Sequence, residues 1–147
     1  MRFLVQRVAE ASVTVKGEKV GQIGKGYLVL IGVGQGDSQE DADKLIKKLI
    51  NLRIFADESG KINLSVKDVG GKLLLVSQFT LYADVRHGNR PGFTLAADPE
   101  TANKLYRYII ERCRKEVPVE CGIFGESMQV FLVNDGPFTV LLDSNEL

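Results

Sequence analysis

The sequence has little of the chemistry that metal sites and disulfide frameworks require. Its 147 residues include two cysteines, one histidine and no tryptophan. Two cysteines are too few for a disulfide scaffold, and a single histidine leaves too few soft ligands for a structural zinc site. We therefore expect neither a metal nor a cofactor.

The sequence also lacks an excess of charge and a long apolar run. Its 19 basic residues balance 19 acidic ones, which argues against a large electrostatic surface for nucleic acid. The apolar run at residues 27–33, YLVLIGV, is too short to cross a membrane, and the apolar part of MRFLVQRVAEA is too short for a signal peptide. We expect a cytoplasmic protein that contacts neither membrane nor DNA.

What is present suits one globular domain over residues 1–147. The chain is 44% hydrophobic and 26% charged, which is ordinary for a domain of this length with a sizeable core. Alternating or apolar runs predict strands at residues 2–8, 11–15, 19–23, 27–33, 73–81, 118–123, 128–133 and 138–142, with a turn at 57–61 and a loop at 83–93. Short turns between neighbouring strands favour antiparallel pairing. The expected fold is α+β, with a curved, mostly antiparallel, barrel-like sheet and two helices packed against it.

Both predicted helices have clear start signals. Ser38 can cap the first, with Asp41 three residues later, and Asp98 can cap the second, with Pro99 at the first helical position. Apolar residues then recur at helical spacing, namely Ala42, Leu45, Ile46, Leu49 and Ile50 in the first helix, and Ala102, Leu105, Tyr106, Ile109, Ile110 and Cys113 in the second. Cys113 is therefore expected in the core rather than in catalysis.

Few side chains could support nucleophilic or nucleotide chemistry. A Ser–His arrangement would need His87, which lies in the loop VRHGNRPG, where a lone histidine is usually exposed. The glycines of GVGQG follow a strand and precede a helix, so a nucleotide-binding turn is one alternative. Their spacing is GxGxG, and the strand belongs to a hairpin-like region rather than a βαβ unit. A turn that needs positive φ angles is the simpler interpretation.

The segment SQFTLYAD, residues 77–84, interrupts a core strand with polar side chains around Phe79. Buried polar groups need hydrogen-bond partners, so Ser77, Gln78 and Thr80 either satisfy one another or present donors to a ligand. Arg86 and Arg90 follow in the next loop. They either remain solvated or hold phosphate groups.

The segment VNDGPFTVLLD, residues 133–143, predicts a hairpin with Asp135-Gly136 at its tip. Pro137 comes next, and it has no N–H group for the strand that should begin there. Two interpretations stay open from the residues alone. The segment is a turn with a stiff exit, or its backbone has a functional task.

Together these segments resemble the D-aminoacyl-tRNA deacylase family, of the D-Tyr-tRNA deacylase type. The resemblance covers essentially the whole chain, through MRFLVQRVAEASVTV, NLRIFADESGKINLSV, SQFTLYADVRHGNRPGF, FGESMQV and NDGPFT. It implies hydrolysis of the ester between a D-amino acid and the 3′-terminal adenosine of tRNA, and removal of glycine from mischarged tRNA. The chain departs from the family pattern at Glu126-Ser127, where Ala-Asp is more common, and at Gly92, where serine is more common.

The resemblance also implies a homodimer with its active site at the subunit interface and the acceptor end of aminoacyl-tRNA as its partner. The site residues it implies are Ser77, Gln78 and Thr80 for catalysis, Phe79 and Met128 for substrate contact, and, more weakly, Arg86 and Arg90 for tRNA binding. Gly136-Pro137 would form a cis dipeptide that enters the neighbouring subunit's pocket and leaves no room for an L side chain.

The mechanism leaves alternatives open. The residues offer no general base of matched pKa, so positioning and oxyanion stabilisation by the backbone N–H groups of Phe79 and Thr80 are one hypothesis. Thr80 as a nucleophile is another. A non-catalytic RNA-binding or dimerisation module on the same fold would keep the arginine loop without needing Gly136-Pro137.

Overall fold

The computed structural model describes all 147 residues, which form one mixed sheet with two helices and a small separate hairpin. In chain order the strands and α-helices are β1 (Arg2–Val15), β2 (Glu18–Ile23), β3 (Gly26–Gly32), α1 (Gln39–Asn51), β4 (Phe55–Ala56), β5 (Ile62–Leu64), β6 (Lys72–Ser77), α2 (Pro99–Arg114), β7 (Val119–Cys121) and β8 (Gln129–Asp143). Two 3₁₀ helices, Phe79–Tyr82 and Ser144–Glu146, follow β6 and β8. The predicted α+β class is confirmed.

The long strand β1 organises the sheet. On one side its first half pairs with β3 and its second half with β2, and on the other side it pairs with β8, all antiparallel. The pairs β3–β6 and β6–β7 are parallel, because helical crossovers join them. A Cβ added to Gly21 in β2 would lie 2.8 Å from the Cys121 carbonyl oxygen in β7. The sheet therefore nearly closes into a barrel, as predicted, and most of its ladders are antiparallel.

The helices begin where their capping residues predict. The Ser38 N–H donates to Asp41 Oδ2 at 2.9 Å, and Thr101 N–H donates to Asp98 Oδ2 at 3.0 Å. The predicted apolar residues of both helices are buried. They cover one face of the sheet in a core of 26 buried residues, while eight others fill the barrel on the opposite face.

Several strand predictions need correction. Residues 2–8 and 11–15 belong to one strand, and the strand predicted at 118–123 is only Val119–Cys121. The strand predicted at 73–81 ends at Ser77, and its remainder turns into a 3₁₀ helix. The crossover from β3 through α1 to β6 also corrects the view that the strand before GVGQG lies outside a βαβ unit. Apolar periodicity does not show whether two strands pair in parallel, because strand pairing is a property of the tertiary structure.

The hairpin predicted at Asp135-Gly136 is wrong, because residues 128–133 and 138–142 do not pair with each other. They lie in one strand, β8, that runs along β1 with a bulge between them. Gln6 pairs with Thr139 and Val8 pairs with Asn134, so Arg7 alone faces the residues 135–138. The chain does bend at Asp135-Gly136, as the sequence predicts. The two flanking segments pair with the longer strand β1 rather than with each other, so the bend is a bulge.

Because the Cys113 thiol is buried, we expect the protein to lose stability at alkaline pH. Burial raises its pKa to about 12, whereas a thiol in an unfolded chain ionises near about pH 8.5. Between these values only the unfolded chain releases the proton, so stability is fully present below about pH 8.5 and falls as the pH rises. The contribution is at most about 1.4 kcal/mol per pH unit. Urea unfolding at about pH 8 and about pH 10.5 should show a steeper loss in the wild type than in Cys113→Ala, and equal losses would contradict this.

Candidate functional site

A cavity of about 520 Å³ opens where β6 ends and α2 begins. We call it the site cavity. Ser77, Gln78 and Phe79 line it at the end of β6, and Met128 lines it from the segment before β8. Its other lining residues include Phe93, Ala97, Pro99, Ala102, Phe124 and Glu126. A mostly apolar cavity with a few polar groups suits a small organic group that is held in one orientation.

The chain leaves β6 in a way that presents backbone donors at this cavity. The Gln78 N–H donates to the Ile31 carbonyl oxygen at 2.7 Å, and the 3₁₀ helix begins with the next residue. The Phe79 and Thr80 N–H groups stand in its first turn, where a helix offers them no acceptor. The Gln78 side chain does not cap them, and its Nε2 donates to Thr80 Oγ1 at 2.5 Å. Such a first turn can bind an oxygen that carries negative charge.

Residues distant in sequence support this 3₁₀ helix. Arg2 Nη1 donates to the Leu81 carbonyl oxygen at 2.7 Å, and the Arg2 guanidinium lies 4.6 Å from the centroid of the Tyr82 ring. Arg2 Nε also donates to Asp143 Oδ2 at 3.1 Å. Burial, followed by the nearby Asp37 carboxylate, raises the pKa of Tyr82 above its usual range, so the phenol stays neutral. Sequence reasoning missed Arg2, because nothing local links it to residues 81–82.

The site cavity contains no acid–base pair. Glu126 is the one lining residue with a titratable side chain, and that residue is exposed. His87 lies in the exposed loop and does not line the cavity. Cys113 lies in the core, as predicted. The cavity therefore offers a hydroxyl, an amide and backbone N–H groups rather than a matched proton donor and acceptor.

Thr80 and the two loop arginines lie outside the lining of the site cavity. Thr80 is exposed and contacts the cavity residue Gln78 through its hydroxyl. Arg86 binds Asp84 through Nε and Nη2, both at 2.9 Å, and these bonds hold the pKa of Asp84 down to about 2. Arg90 is exposed. The predicted tRNA-binding role of Arg86 and Arg90 stays a prediction.

The GVGQG turn is filled by the chain's own carboxylates. The Gly34 N–H donates to Asp37 Oδ2 at 2.6 Å, and Asp41 binds the Ser38 N–H. A Cβ on Gly34 would lie 2.8 Å from the Tyr82 ring, and Gly36 has a φ of +82°. Packing and backbone conformation explain these glycines, and two acidic side chains at the start of α1 disfavour a nucleotide phosphate there.

The bulge of β8 is held in place by bonds to its backbone. Asn134 Oδ1 accepts from the Phe138 N–H at 2.7 Å, and Asn134 Nδ2 donates to the Phe138 carbonyl oxygen at 3.1 Å. Arg7 Nε donates to the Asp135 carbonyl oxygen at 2.8 Å, and its guanidinium lies 4.7 Å from the Phe138 ring centroid. Sequence reasoning missed Asn134 and Arg7. An asparagine directly before Asp-Gly-Pro was the available signal for the first.

Gly136 and Pro137 are exposed at the tip of this bulge, and the bond between them is cis. They do not line the site cavity of their own chain. Val130, which does line it, lies six residues earlier in β8, before the bulge. The fold therefore brings Ser77, Gln78, Phe79 and Met128 together and leaves Gly136-Pro137 apart from them.

The fold and the cavity define a small α+β barrel protein whose site offers backbone and amide donors to a bound group. Neither helix is long and apolar enough to pass through a bilayer. The chain belongs to the D-Tyr-tRNA(Tyr) deacylase family, whose model matches residues 4–143.

Two relatives and one solved structure align with all or nearly all of this chain. A D-aminoacyl-tRNA deacylase of Syntrophobacter fumaroxidans (strain DSM 10017 / MPOB) is 56% identical over 148 residues, covering 100% of this chain and 99% of the relative. One of Thermosipho melanesiensis (strain DSM 12029 / CIP 104789 / BI429) is 54% identical over 149 residues, with the same coverage. A solved structure described as c-Myc DNA Unwinding Element Binding Protein superimposes with a TM-score of 0.92 at 44% identity, covering 97% of this chain and 98% of that one.

Proposed function

We propose that the protein hydrolyses the ester between a D-amino acid and the 3′-terminal adenosine of tRNA, in the cytoplasm. The observation that carries the proposal is the family match over residues 4–143, together with relatives of 56% and 54% identity that are named D-aminoacyl-tRNA deacylases. The site cavity supports it, because its apolar and aromatic lining can contact the flat faces of an adenine, while Ser77, Gln78 and nearby backbone N–H groups can bind polar atoms of the aminoacyl ester. The expected absence of a DNA partner rests on the zero net charge and stays a prediction.

The proposed mechanism relies on positioning and on backbone donors. The Phe79 and Thr80 N–H groups would bind the carbonyl oxygen of the ester as negative charge develops on it. Water, assisted by the 2′-hydroxyl of the RNA, would attack the carbonyl carbon, and the adenosine 3′-oxygen would leave with a proton. Because an aminoacyl ester is already activated, orientation and oxyanion binding can suffice without a side-chain base. Ser77 and Gln78 would orient the substrate.

We further propose a homodimer that completes the site. The outer edge of β8 has no partner strand in the chain, and this strand exposes the large apolar residues Val130, Phe131, Val133 and Leu141. An unpaired edge with exposed apolar side chains favours burial against another surface. A second copy would cover it and bring its own Gly136-Pro137 to the cavity, where the rigid backbone would exclude an L side chain. Glycine, without a side chain, would be accepted.

The direct test is the release of D-tyrosine from D-Tyr-tRNA by the purified protein. We expect turnover well above the rate of spontaneous ester hydrolysis, and a variant with Phe79→Ala and Gln78→Ala together should lose most of it. Inertness of the folded wild-type protein towards D-Tyr-tRNA, D-Asp-tRNA and Gly-tRNA would overturn the proposal. RNA binding without hydrolysis would instead favour the non-catalytic module.

Thr80→Ala separates the two roles proposed for this residue. If only the Thr80 backbone N–H takes part, the variant keeps that donor and should retain kcat/KM within about tenfold, which corresponds to about 1.4 kcal/mol. The remaining loss would come from the hydroxyl that Gln78 Nε2 contacts. Single-turnover hydrolysis of D-Tyr-tRNA measures it, with Thr101→Ala in α2 as a control for general folding. A loss of several powers of ten would contradict this proposal and favour Thr80 as the nucleophile.

A further inference from the structure

A second cavity of about 520 Å³ runs beside α2 and adjoins the site cavity. We call it the α2 groove. Asn103, Arg107 and Arg114 line it from the helix, and Ile123 and Phe124 line it from the segment after β7. Phe124 lines both cavities, and its ring lies 6.1 Å, centroid to centroid, from the ring of Tyr106. The Tyr106 hydroxyl donates in turn to the Leu75 carbonyl oxygen at 2.7 Å. The wall between the two cavities is therefore well anchored.

The helix presents polar and cationic groups along this groove. Asn103, Arg107 and Arg114 are separated by four and seven residues, which places them about 6 Å and about 10 Å apart along the helix axis. Arg107 is exposed and takes part in none of the ion pairs of the chain. Arg114 pairs with Glu111 at 3.2 Å, but both side chains are substantially exposed, so this pair is weak and easily exchanged. Glu111 also lines the groove, so its two arginines and one carboxylate leave a single net positive charge, with Arg107 as the cation outside any ion pair.

The opposite side of the groove is apolar. Ile123 is 43% exposed, and the neighbouring Phe124 also lines the groove. Arginines that face exposed apolar and aromatic side chains are typical of surfaces that bind single-stranded nucleic acid. The cations hold the phosphates, and the apolar groups support the bases.

We propose that the α2 groove binds the nucleotides that precede the terminal adenosine of the RNA substrate, with their phosphates on Arg107 and Arg114 and a base against Ile123 and Phe124. This inference rests on the proposed function, which places the terminal adenosine in the adjoining site cavity. It gives the acceptor strand a direction, out of the site cavity over Phe124 and towards the C-terminal end of α2.

A second basic cleft serves as a control surface. It lies between α1 and α2 and contains Lys47, Lys67, Arg112 and Lys115. Two of these cations are engaged, since Lys67 pairs with Glu116 at 2.9 Å and Arg112 lies 3.7 Å from Asp43. The cleft shares no lining residue with the site cavity. Lys115 directly follows α2 and, like Arg107, is an exposed cation, so Lys115→Glu matches the charge change of Arg107→Glu.

The experiment measures the binding of an uncharged single-stranded RNA that ends in CCA, by fluorescence anisotropy, and therefore does not depend on hydrolysis. We expect Arg107→Glu to weaken binding at least about fivefold, and Arg107→Gln to lower the slope of log affinity against log salt by about 0.7. Lys115→Glu should weaken binding clearly less than Arg107→Glu. Unchanged binding in Arg107→Glu, or an equal loss in Lys115→Glu, would overturn the α2 groove as the strand site.

Kinetics then connect the groove to the substrate. The ratio of kcat/KM for D-Tyr-tRNA to kcat/KM for 3′-O-(D-tyrosyl)adenosine should fall at least about fivefold in Arg107→Glu, because the short substrate never reaches the groove. An unchanged ratio would overturn the inference. If the wild-type protein hydrolyses neither substrate, the proposed function fails, while the binding measurement still decides the fate of the groove.

Discussion

Replacing Gly136 by alanine should lower kcat/KM for D-Tyr-tRNA by at least about 100-fold, the size of effect that misplacement of a positioning group by about 1 Å can produce. A Cβ at this position would clash with the Phe138 backbone nitrogen and lie 3.0 Å from Asn134 Oδ1. Neither neighbour can yield without opening the bulge, because the Phe138 N–H and Asn134 Oδ1 are bonded to each other at 2.7 Å. The backbone proposed to reach the partner's cavity would therefore move.

Gly24→Ala is the matched control, because Gly24 is also exposed and an added Cβ there would meet nothing within 4 Å. We expect wild-type activity and stability from Gly24→Ala, and a lower thermal stability but a folded chain from Gly136→Ala, since the bulge is at the surface. Full activity of Gly136→Ala would remove this segment from the mechanism.

Mixing two inactive variants tests whether the segment acts across subunits. A dimer formed from one Gly136→Ala chain and one chain with Gln78→Ala and Phe79→Ala together has one fully intact site if each site borrows Gly136 from its partner. Random exchange should then restore about a quarter of wild-type activity, because half of the dimers are mixed and each has one working site of two. No recovery despite demonstrated subunit exchange would contradict a shared site.

The second large effect is chiral discrimination. Rejection of L-Tyr-tRNA by at least about 1000-fold relative to D-Tyr-tRNA requires roughly 4 kcal/mol. The fit of a methylene group in an apolar pocket supplies only about 1–3 kcal/mol. A clash with rigid backbone supplies more, because the chain cannot yield at low cost. The bonds that Asn134 and Arg7 make to the bulge provide such rigidity.

Glycine distinguishes exclusion from selection. A backbone that excludes L side chains admits a substrate with no side chain, so Gly-tRNA should be hydrolysed within about tenfold of the D-Tyr-tRNA rate, or about 1.4 kcal/mol. Parallel measurement of kcat/KM for D-Tyr-tRNA, L-Tyr-tRNA and Gly-tRNA tests this. Rejection of Gly-tRNA as strongly as L-Tyr-tRNA would indicate a pocket that recognises the D side chain instead.

Local chemistry made much of the fold predictable. Ser38 with Asp41 and Asp98 with Pro99 mark the starts of both helices, because capping depends on residues only three or so positions apart. The buried faces of α1 and α2 follow from apolar spacing for the same reason. The strand ending at Ser77 was harder, because whether polar residues continue a strand or turn away from it depends on what the neighbouring strand accepts.

Some features of the candidate site could be predicted from the sequence, and others could not. The sequence shows the polar interruption at Ser77, Gln78 and Thr80. It also shows a proline after Asp135-Gly136, at a position where a strand would need an N–H donor. Arg2, Arg7 and the α2 groove were not, because their contacts join residues that are tens of positions apart.

The sequence alone thus determined the two helices and the segments that carry the candidate chemistry, since each depends on residues within one short segment. It also determined the α+β class, which follows from the order of the predicted strands and helices. Only the tertiary structure decided that NDGPFT is a bulge rather than a hairpin. A turn signal states that the chain bends locally, but strand pairing goes to the partner that offers the longest ladder. Here β1 accepts both flanks of the bend, and the residues between them are left projecting from the sheet.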